Sequence, residues 1–146
     1  MSMNATTIVI QTPGAINYLY RIREFVTGIA EEAGIDEIEI ANIELAVDEA
    51  CANVIEHGYP PDARNKNITI RMEIDDAKLV LTIMDEGTPF DPRTRLQPDI
   101  KRLVAMKRDG GLGISIIRRT MDEIDYQSYP DGHNELILTK YLKKEQ

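Results

Sequence analysis

The sequence predicts an α+β fold, a two-layer α/β sandwich whose mixed, mostly antiparallel sheet carries its helices on one face. Three observations lead there. Several short stretches alternate apolar and polar residues, two longer stretches between them follow a helical period, and two turn signals, Asp75-Asp76-Ala77 and Pro130-Asp131-Gly132, each join a pair of alternating runs. Runs joined that tightly pair antiparallel, and the element order is β-α-α-β-β-loop-α-β-β.

Thr6 to Gln11 alternates and is β-branched, the pattern of an edge strand. Thr12-Pro13 reads as cap and first position of a helix running to about Ala33, with Ile16, Leu19, Tyr20, Phe25, Val26 and Ile29 apolar and Gly34 as its stop. Asp36 caps a second helix, with Glu39 placed as in a capping box; that helix runs to His57, before Gly58 and Pro60-Pro61. Asn67 to Ile74 and Lys78 to Met84 are two alternating strands. Phe90 to Asp109 then loses periodicity, broken by Pro92 and Pro98, and reads as a long, partly helical loop, a length usually tied to function. A short helix, Ile114 to Met121, and a last hairpin, Asp122 to Tyr129 with Glu135 to Leu142, complete the chain.

The 146 residues suit one domain, residues 1–146, with a single core. No run of apolar residues is long enough to span a bilayer and the first residues lack a signal-peptide pattern, so a cytoplasmic protein is expected, with no membrane partner. Cys51 is the only cysteine, on an apolar helix side, and two histidines are too few and too scattered for zinc. The net charge of -8 argues against binding nucleic acid directly. Charge is unevenly spread, however: Glu31 to Glu49 is acidic, whereas Arg93, Arg95, Lys101, Arg102, Lys107 and Arg108 crowd one segment, which suits a small phosphorylated ligand.

The second helix holds the first candidate site. Ile43, Val47, Ala50 and Val54 form a core stripe, with Glu44 and Asp48 expected at solvent. Asn42, Ala46, Glu49 and Asn53 make another line on the same helix, with a carboxylate and an amide one turn apart beside an alanine that leaves space. Such a line is either a solvated face or a site. Two further polar interruptions accompany it. Asp85-Glu86-Gly87 ends an apolar strand; its carboxylate is either structural or an acceptor for an exocyclic amine such as adenine carries, with Gly87 letting a ring lie against the backbone. Gly110-Gly111-Leu112-Gly113 leads into a helix, as a plain turn or as a cradle of N–H groups for phosphate. It matches neither the lysine-bearing phosphate loop nor the dinucleotide fingerprint. Asn53 offers an amide oxygen for Mg²⁺, and Glu49 can accept a proton or orient a nucleophile.

Glu49-x-x-x-Asn53 with His57-Gly58, Asp85-x-Gly87-x-Pro89-Phe90-Asp91 and Gly110 to Gly113 resemble, in order, the N, G1 and G2 boxes of the GHKL (Bergerat-fold) ATPases. Over nearly its whole length the chain is similar to the anti-sigma-factor serine/threonine protein kinases of bacterial partner-switching systems, with their histidine-kinase-like ATPase domain. The resemblance implies ATP and Mg²⁺ as cofactors. It makes Asn53 the metal ligand, Glu49 the catalytic base, Asp85 the adenine contact, Gly87 part of the ring pocket, and Gly110, Gly111, Leu112 and Gly113 the phosphate turn. It places Thr139 in the adenine network, Phe90 to Asp109 as an ATP lid, and Arg108 or Lys107 near the γ-phosphate. The implied function is an ATP-dependent kinase and anti-sigma factor that phosphorylates an anti-sigma-factor antagonist. The implied partners are that antagonist, a sigma factor and a second copy of the chain, met through N-terminal residues such as Tyr18, Tyr20 and Phe25. The alternative is a nucleotide-dependent protein-binding regulator that transfers no phosphate.

Overall fold

The computed structural model describes residues 5–59, 66–89 and 113–142. Five strands, β1 (Thr6–Pro13), β2 (Asn67–Ile74), β3 (Lys78–Asp85), β4 (Glu123–Ser128) and β5 (Asn134–Tyr141), form one sheet in the order β1-β2-β3-β5-β4. All the pairings between these described strands are antiparallel. Alternation sends Ile68, Ile70, Met72 and Ile74 of β2, Leu79, Leu81 and Ile83 of β3, and Leu136 and Leu138 of β5 to one face. There they meet Leu19, Ile22 and Val26 of α1 (Leu19–Glu32), Ile43, Val47 and Ala50 of α2 (Glu37–Asn53) and Ile117 of α3 (Gly113–Thr120) in one core. The helices therefore lie on one face, with α2 between α1 and α3 and touching both.

Several local expectations hold. Gly34 takes φ +78, which a side chain would disfavour, and ends α1. Asp36 accepts from the Ile38 N–H at 2.7 Å as the cap of α2. Cys51 is buried, and burial pushes its thiol well above the usual range, so it stays a protonated core residue. Asp75 accepts from the N–H groups of Ala77 and Lys78 at 2.7 and 2.9 Å and closes the first hairpin; those two bonds hold its carboxyl below the usual range.

Other expectations change. Thr12-Pro13 does not begin a helix: β1 continues through it, Thr12 opposite Ile68 and Pro13 opposite Asn67, and a short 3₁₀ turn at Ile16–Tyr18 precedes α1. The ladder with β2 outcompetes the cap, and proline is tolerated because β1 is an edge strand. Glu39 does not complete a capping box; its carboxylate meets the Lys140 ammonium at 3.1 Å, largely out of water. Lys140 also donates to the Thr120 carbonyl at 2.8 Å, where the end of α3 favours positive charge. Asp48 is not simply at solvent, since it accepts from Arg23 Nε at 2.9 Å and ties α2 to α1. After Asn53 the helical path does not stay α but widens into a π turn, Val54–Gly58.

Gly14 is one glycine that close approach requires. Its N–H donates to the Lys66 carbonyl, and a Cβ there would stand 2.6 Å from that oxygen. Gly14→Ala is expected to force β1 and β2 apart at this end and destabilise the fold by about 1–3 kcal/mol. Urea unfolding reads this as a lower midpoint with an unchanged slope.

Candidate functional site

Two elements carry the polar residues. The first is α2, whose sheet-facing side is fully apolar, so that any polar group buried on it lies along its flank. Asn53 is 6 % exposed and Ala46 is sealed beside it, while Glu49 and Asn42 are part-buried on the same flank. The Asn53 Nδ2 has no hydrogen-bond partner among the described residues. An unpaired buried amide costs roughly 1–3 kcal/mol, a cost that a ligand reaching it would remove. A half-turn about χ2 exchanges the amide N and O at nearly the same positions, so the group presents either a donor or a metal-binding oxygen there. Burial raises the Glu49 carboxyl above its usual value, and the neighbouring Asp48 and Glu56 charges add to this. A more basic carboxylate is a better proton acceptor.

The second element is the turn after β3. Asp85 is 8 % exposed, and its Oδ1 accepts from the Gly87 N–H at 2.8 Å and from Asn134 Nδ2 at 3.0 Å. Asn134 Nδ2 also donates to the Gly87 carbonyl at 2.9 Å, and Asn134 Oδ1 accepts from Ser128 Oγ at 2.9 Å. Asn134 is thus fully used as a clamp on the Asp85–Gly87 turn. Both bonds to Asp85 fall on Oδ1, so among the described residues Oδ2 keeps its capacity to accept. Burial raises the Asp85 carboxyl, while the Asn134 and Gly87 bonds pull it back.

Sequence reasoning missed Asn134, which the structure sets beside Asp85, while Thr139 lies further along β5. Asn134 stands opposite Asp85 in the ladder, whereas Thr139 stands opposite Val80. Thr139 lies five positions beyond Asn134 along the strand, roughly 17 Å, and an odd offset puts the two side chains on opposite faces. Thr139 is buried on the far face of the sheet, away from Asp85. The register of the last hairpin, pairing Ser128 with Asn134, was the signal available: it starts β5 at the level where β3 ends. Gly113 begins α3. Gly110, Gly111, Leu112, Lys107, Arg108 and the segment from Phe90 to Asp109 lie outside the described residues. No group of three or more potential metal-ligating side chains occurs among the described residues.

A carboxylate raised by burial, a buried amide with an atom unpaired among the described residues, and a clamped carboxylate at a strand end sit on a helix-plus-antiparallel-sheet scaffold. Comparison with known proteins gives that combination a family. The chain matches the histidine kinase-like ATPase domain over residues 12–140. It belongs to that family. Among its relatives, the serine-protein kinase RsbW of Bacillus subtilis (strain 168) is 31 % identical over 150 residues, covering 99 % of this chain and 91 % of the relative. RsbW of Staphylococcus aureus (strain MSSA476) is 32 % identical over 143 residues, covering 95 % and 89 %. The solved structure of the RsbU and RsbW domains of Rv1364c from Mycobacterium tuberculosis superposes with a TM-score of 0.68 at 21 % identity, covering 96 % of this chain and 33 % of that one. The SiaB–SiaC complex from Pseudomonas aeruginosa gives 0.57 at 15 % identity, covering 92 % and 89 %. These two likenesses support the α+β architecture, and the histidine kinase-like domain implies use of ATP.

Asp85→Asn isolates the charge of the clamped turn, because an amide oxygen can still accept from Gly87 and Asn134. Asp85 has a folded-state pKa raised from 3.8, so its ionisation opposes folding: its contribution favours the fold below the unfolded pKa and is lost as pH rises through the folded value. At neutral pH the variant is expected to melt at or slightly above the parent. It is also expected to lose the rise in melting temperature that ATP produces, since Nδ2 would face the adenine amine. Thermal shifts with ATP and GTP check both halves, and an ATP shift equal to the parent's contradicts the adenine assignment.

Proposed function

We propose that this protein is an ATP-dependent serine/threonine kinase and anti-sigma factor, a single histidine kinase-like ATPase domain that phosphorylates an anti-sigma-factor antagonist. The observation that carries the reading is the flank of α2, where the raised carboxyl of Glu49 stands one turn from the unpaired amide of Asn53. The similarity to relatives named serine-protein kinases supports it, and a pure binding module has no use for a basic carboxylate beside the phosphates.

In this reading Asp85 Oδ2 accepts from the adenine amine, Gly87 leaves room for the ring, and Asn134 keeps the turn in place. Asn53 supplies its amide oxygen to Mg²⁺, which usually retains waters and takes few protein ligands. The ion neutralises phosphate charge when bound. Gly110 to Gly113 are assigned to the phosphates, and Arg108 or Lys107 to the γ-phosphate. Glu49 takes or guides the hydroxyl proton of the acceptor serine or threonine, in a transfer governed mainly by positioning and charge.

Beside Glu49 the exposed side of α2 carries apolar residues. Ile38 is 71 % and Leu45 49 % exposed, with Ala41 exposed between them. At 100° per residue Ile38, Leu45 and Glu49 fall within about 40° of one another. An acceptor protein that brings a hydroxyl to Glu49 must cover Leu45, about 6 Å away along the axis. We assign this strip to the antagonist. A homodimer would use Ile16 and Tyr20, which are exposed at the start of α1, whereas Phe25 packs against the core. No described helix is long and apolar enough to cross a membrane, consistent with a cytoplasmic site of action.

Glu49→Gln keeps shape and hydrogen bonding but removes basicity. ATP binding is expected to survive while phosphorylation of the antagonist falls about a hundredfold or more. Asn53→Ala is expected to weaken Mg·ATP binding as well. Parental transfer by Glu49→Gln, in a radiolabel assay paired with a nucleotide titration, would make the carboxylate a bystander; no transfer by the parent would favour the non-enzymatic regulator.

Leu45→Asp separates substrate docking from nucleotide chemistry. It is expected to reduce antagonist phosphorylation by at least tenfold, through KM, with the ATP dissociation constant unchanged. Unchanged KM for the antagonist would remove the strip from the interface.

A further inference from the structure

Tyr59 follows directly on the π turn that ends the α2 path, and it is buried at 8 % exposure. Its hydroxyl makes two bonds to distant backbone. It donates to the Asn67 carbonyl at 2.5 Å, where β2 begins, and accepts from the Glu86 N–H at 3.0 Å, in the middle of the Asp85–Gly87 turn. The ring lies against Gly14: a Cβ there would touch Tyr59 Cε2 at 3.4 Å. Burial raises the phenol above its usual range, so at neutral pH the hydroxyl stays protonated and keeps donating to Asn67.

The turn is therefore held by three different groups. Asp85 Oδ1 holds the Gly87 N–H, Asn134 holds the Gly87 carbonyl, and Tyr59 holds the Glu86 N–H. The first two restraints come from the sheet. Only Tyr59 among them is delivered by the helix that carries Glu49 and Asn53. An α path continued from Asn53 would rotate every following residue by about 100° for each residue removed from the widened turn, so the π geometry sets where Tyr59 arrives.

We propose that Tyr59 is a positioning residue for adenine recognition, registering the Asp85–Gly87 turn to the end of the α2 path through the Glu86 N–H. The proposal rests on the reading of Asp85 as the adenine contact. A hydrogen bond from Asp85 Oδ2 to an amine is directional, and a shift of the turn by a fraction of an ångström weakens it while leaving phosphate contacts at α3 untouched. A tyrosine that served packing alone would affect all nucleotides alike.

Tyr59→Phe keeps the ring and removes the hydroxyl. Glu86 and Asn67 are both exposed residues, so water can serve the two released backbone groups and the variant is expected to fold. Titrations with ATP and GTP on parent and variant, antagonist phosphorylation at saturating ATP, and hydrogen exchange at the Glu86 amide form the test. The expected result is a three- to tenfold weaker ATP affinity, on the order of one lost hydrogen bond. GTP affinity and kcat should be unchanged, and the Glu86 amide should exchange faster than in the parent. Parental ATP affinity and ATP-to-GTP preference in the variant would overturn the positioning role, as would an equal loss for both nucleotides with a lowered melting temperature. A slow Glu86 amide in the parent is required whether or not the variant folds, and a fast one overturns the proposal. A parent without preference for ATP over GTP would instead overturn the adenine assignment of Asp85, and Tyr59's role with it.

Discussion

The structure depends on α2 serving the core and the site at once. Its sheet-facing side gives Ile43, Val47 and Ala50 to the core without exposure to spare, and Arg23 and Lys140 fix the helix laterally through Asp48 and Glu39. Rotating α2 to give Glu49 or Asn53 more water would withdraw core residues, and each buried aliphatic side chain is worth roughly 1.5–3 kcal/mol. The polar flank is held in place by apolar packing on the next face. A rigid element of this kind orients functional groups better than a loop does.

That arrangement costs stability at the candidate site. Glu49 and Asp85 both have carboxyls raised chiefly by burial, so each opposes folding at neutral pH, and Asn53 keeps an unpaired buried atom. None of the three is what an optimised core would hold. Stability is recovered elsewhere: Asn134 is completely satisfied, Lys140 joins β5 to α2 and α3, and Cys51 packs as a small apolar residue. Desolvation and an unpaired buried atom concentrated at three side chains make them candidates for a site.

Much of this was legible in the sequence because it is written locally. Helical and alternating periods located α2 and the strands, and the glycines and aspartates that make turns announced Gly34, Asp36 and Asp75. What was not legible is non-local. Thr12-Pro13 carries a strong helix-start signal, yet a ladder to residues over fifty positions away keeps it extended. Thr139 and Asn134 are equally plausible partners for Asp85 until the β3–β5 register is known, and the period of two then decides between them. Glu39 fits a capping box until Lys140 arrives from the other end of the chain. Tyr59 gave no signal, because both of its partners are backbone atoms and backbone partners leave no trace in side-chain pattern.

Charge explains why the nucleotide reading needs more than α2. Glu49 stands near Asp48 and Glu56, and the whole chain carries a net charge of -8. Asp48 is matched by Arg23, but that pair is more than a third exposed and screens Glu49 only in part. A triphosphate brought to this carboxylate meets like charge, which at an effective dielectric constant of about 20 costs on the order of 4 kcal/mol per pair of unit charges at 4 Å. The same repulsion raises the basicity that proton transfer requires, so it cannot simply be removed. In the proposed reading it is offset from the phosphate side, by the divalent cation assigned to the Asn53 amide and by basic residues of the run from Arg93 to Arg108. In the proposed reading the acidic helix tunes Glu49, and the basic run in the sequence supplies the opposite charge that a phosphorylated ligand requires.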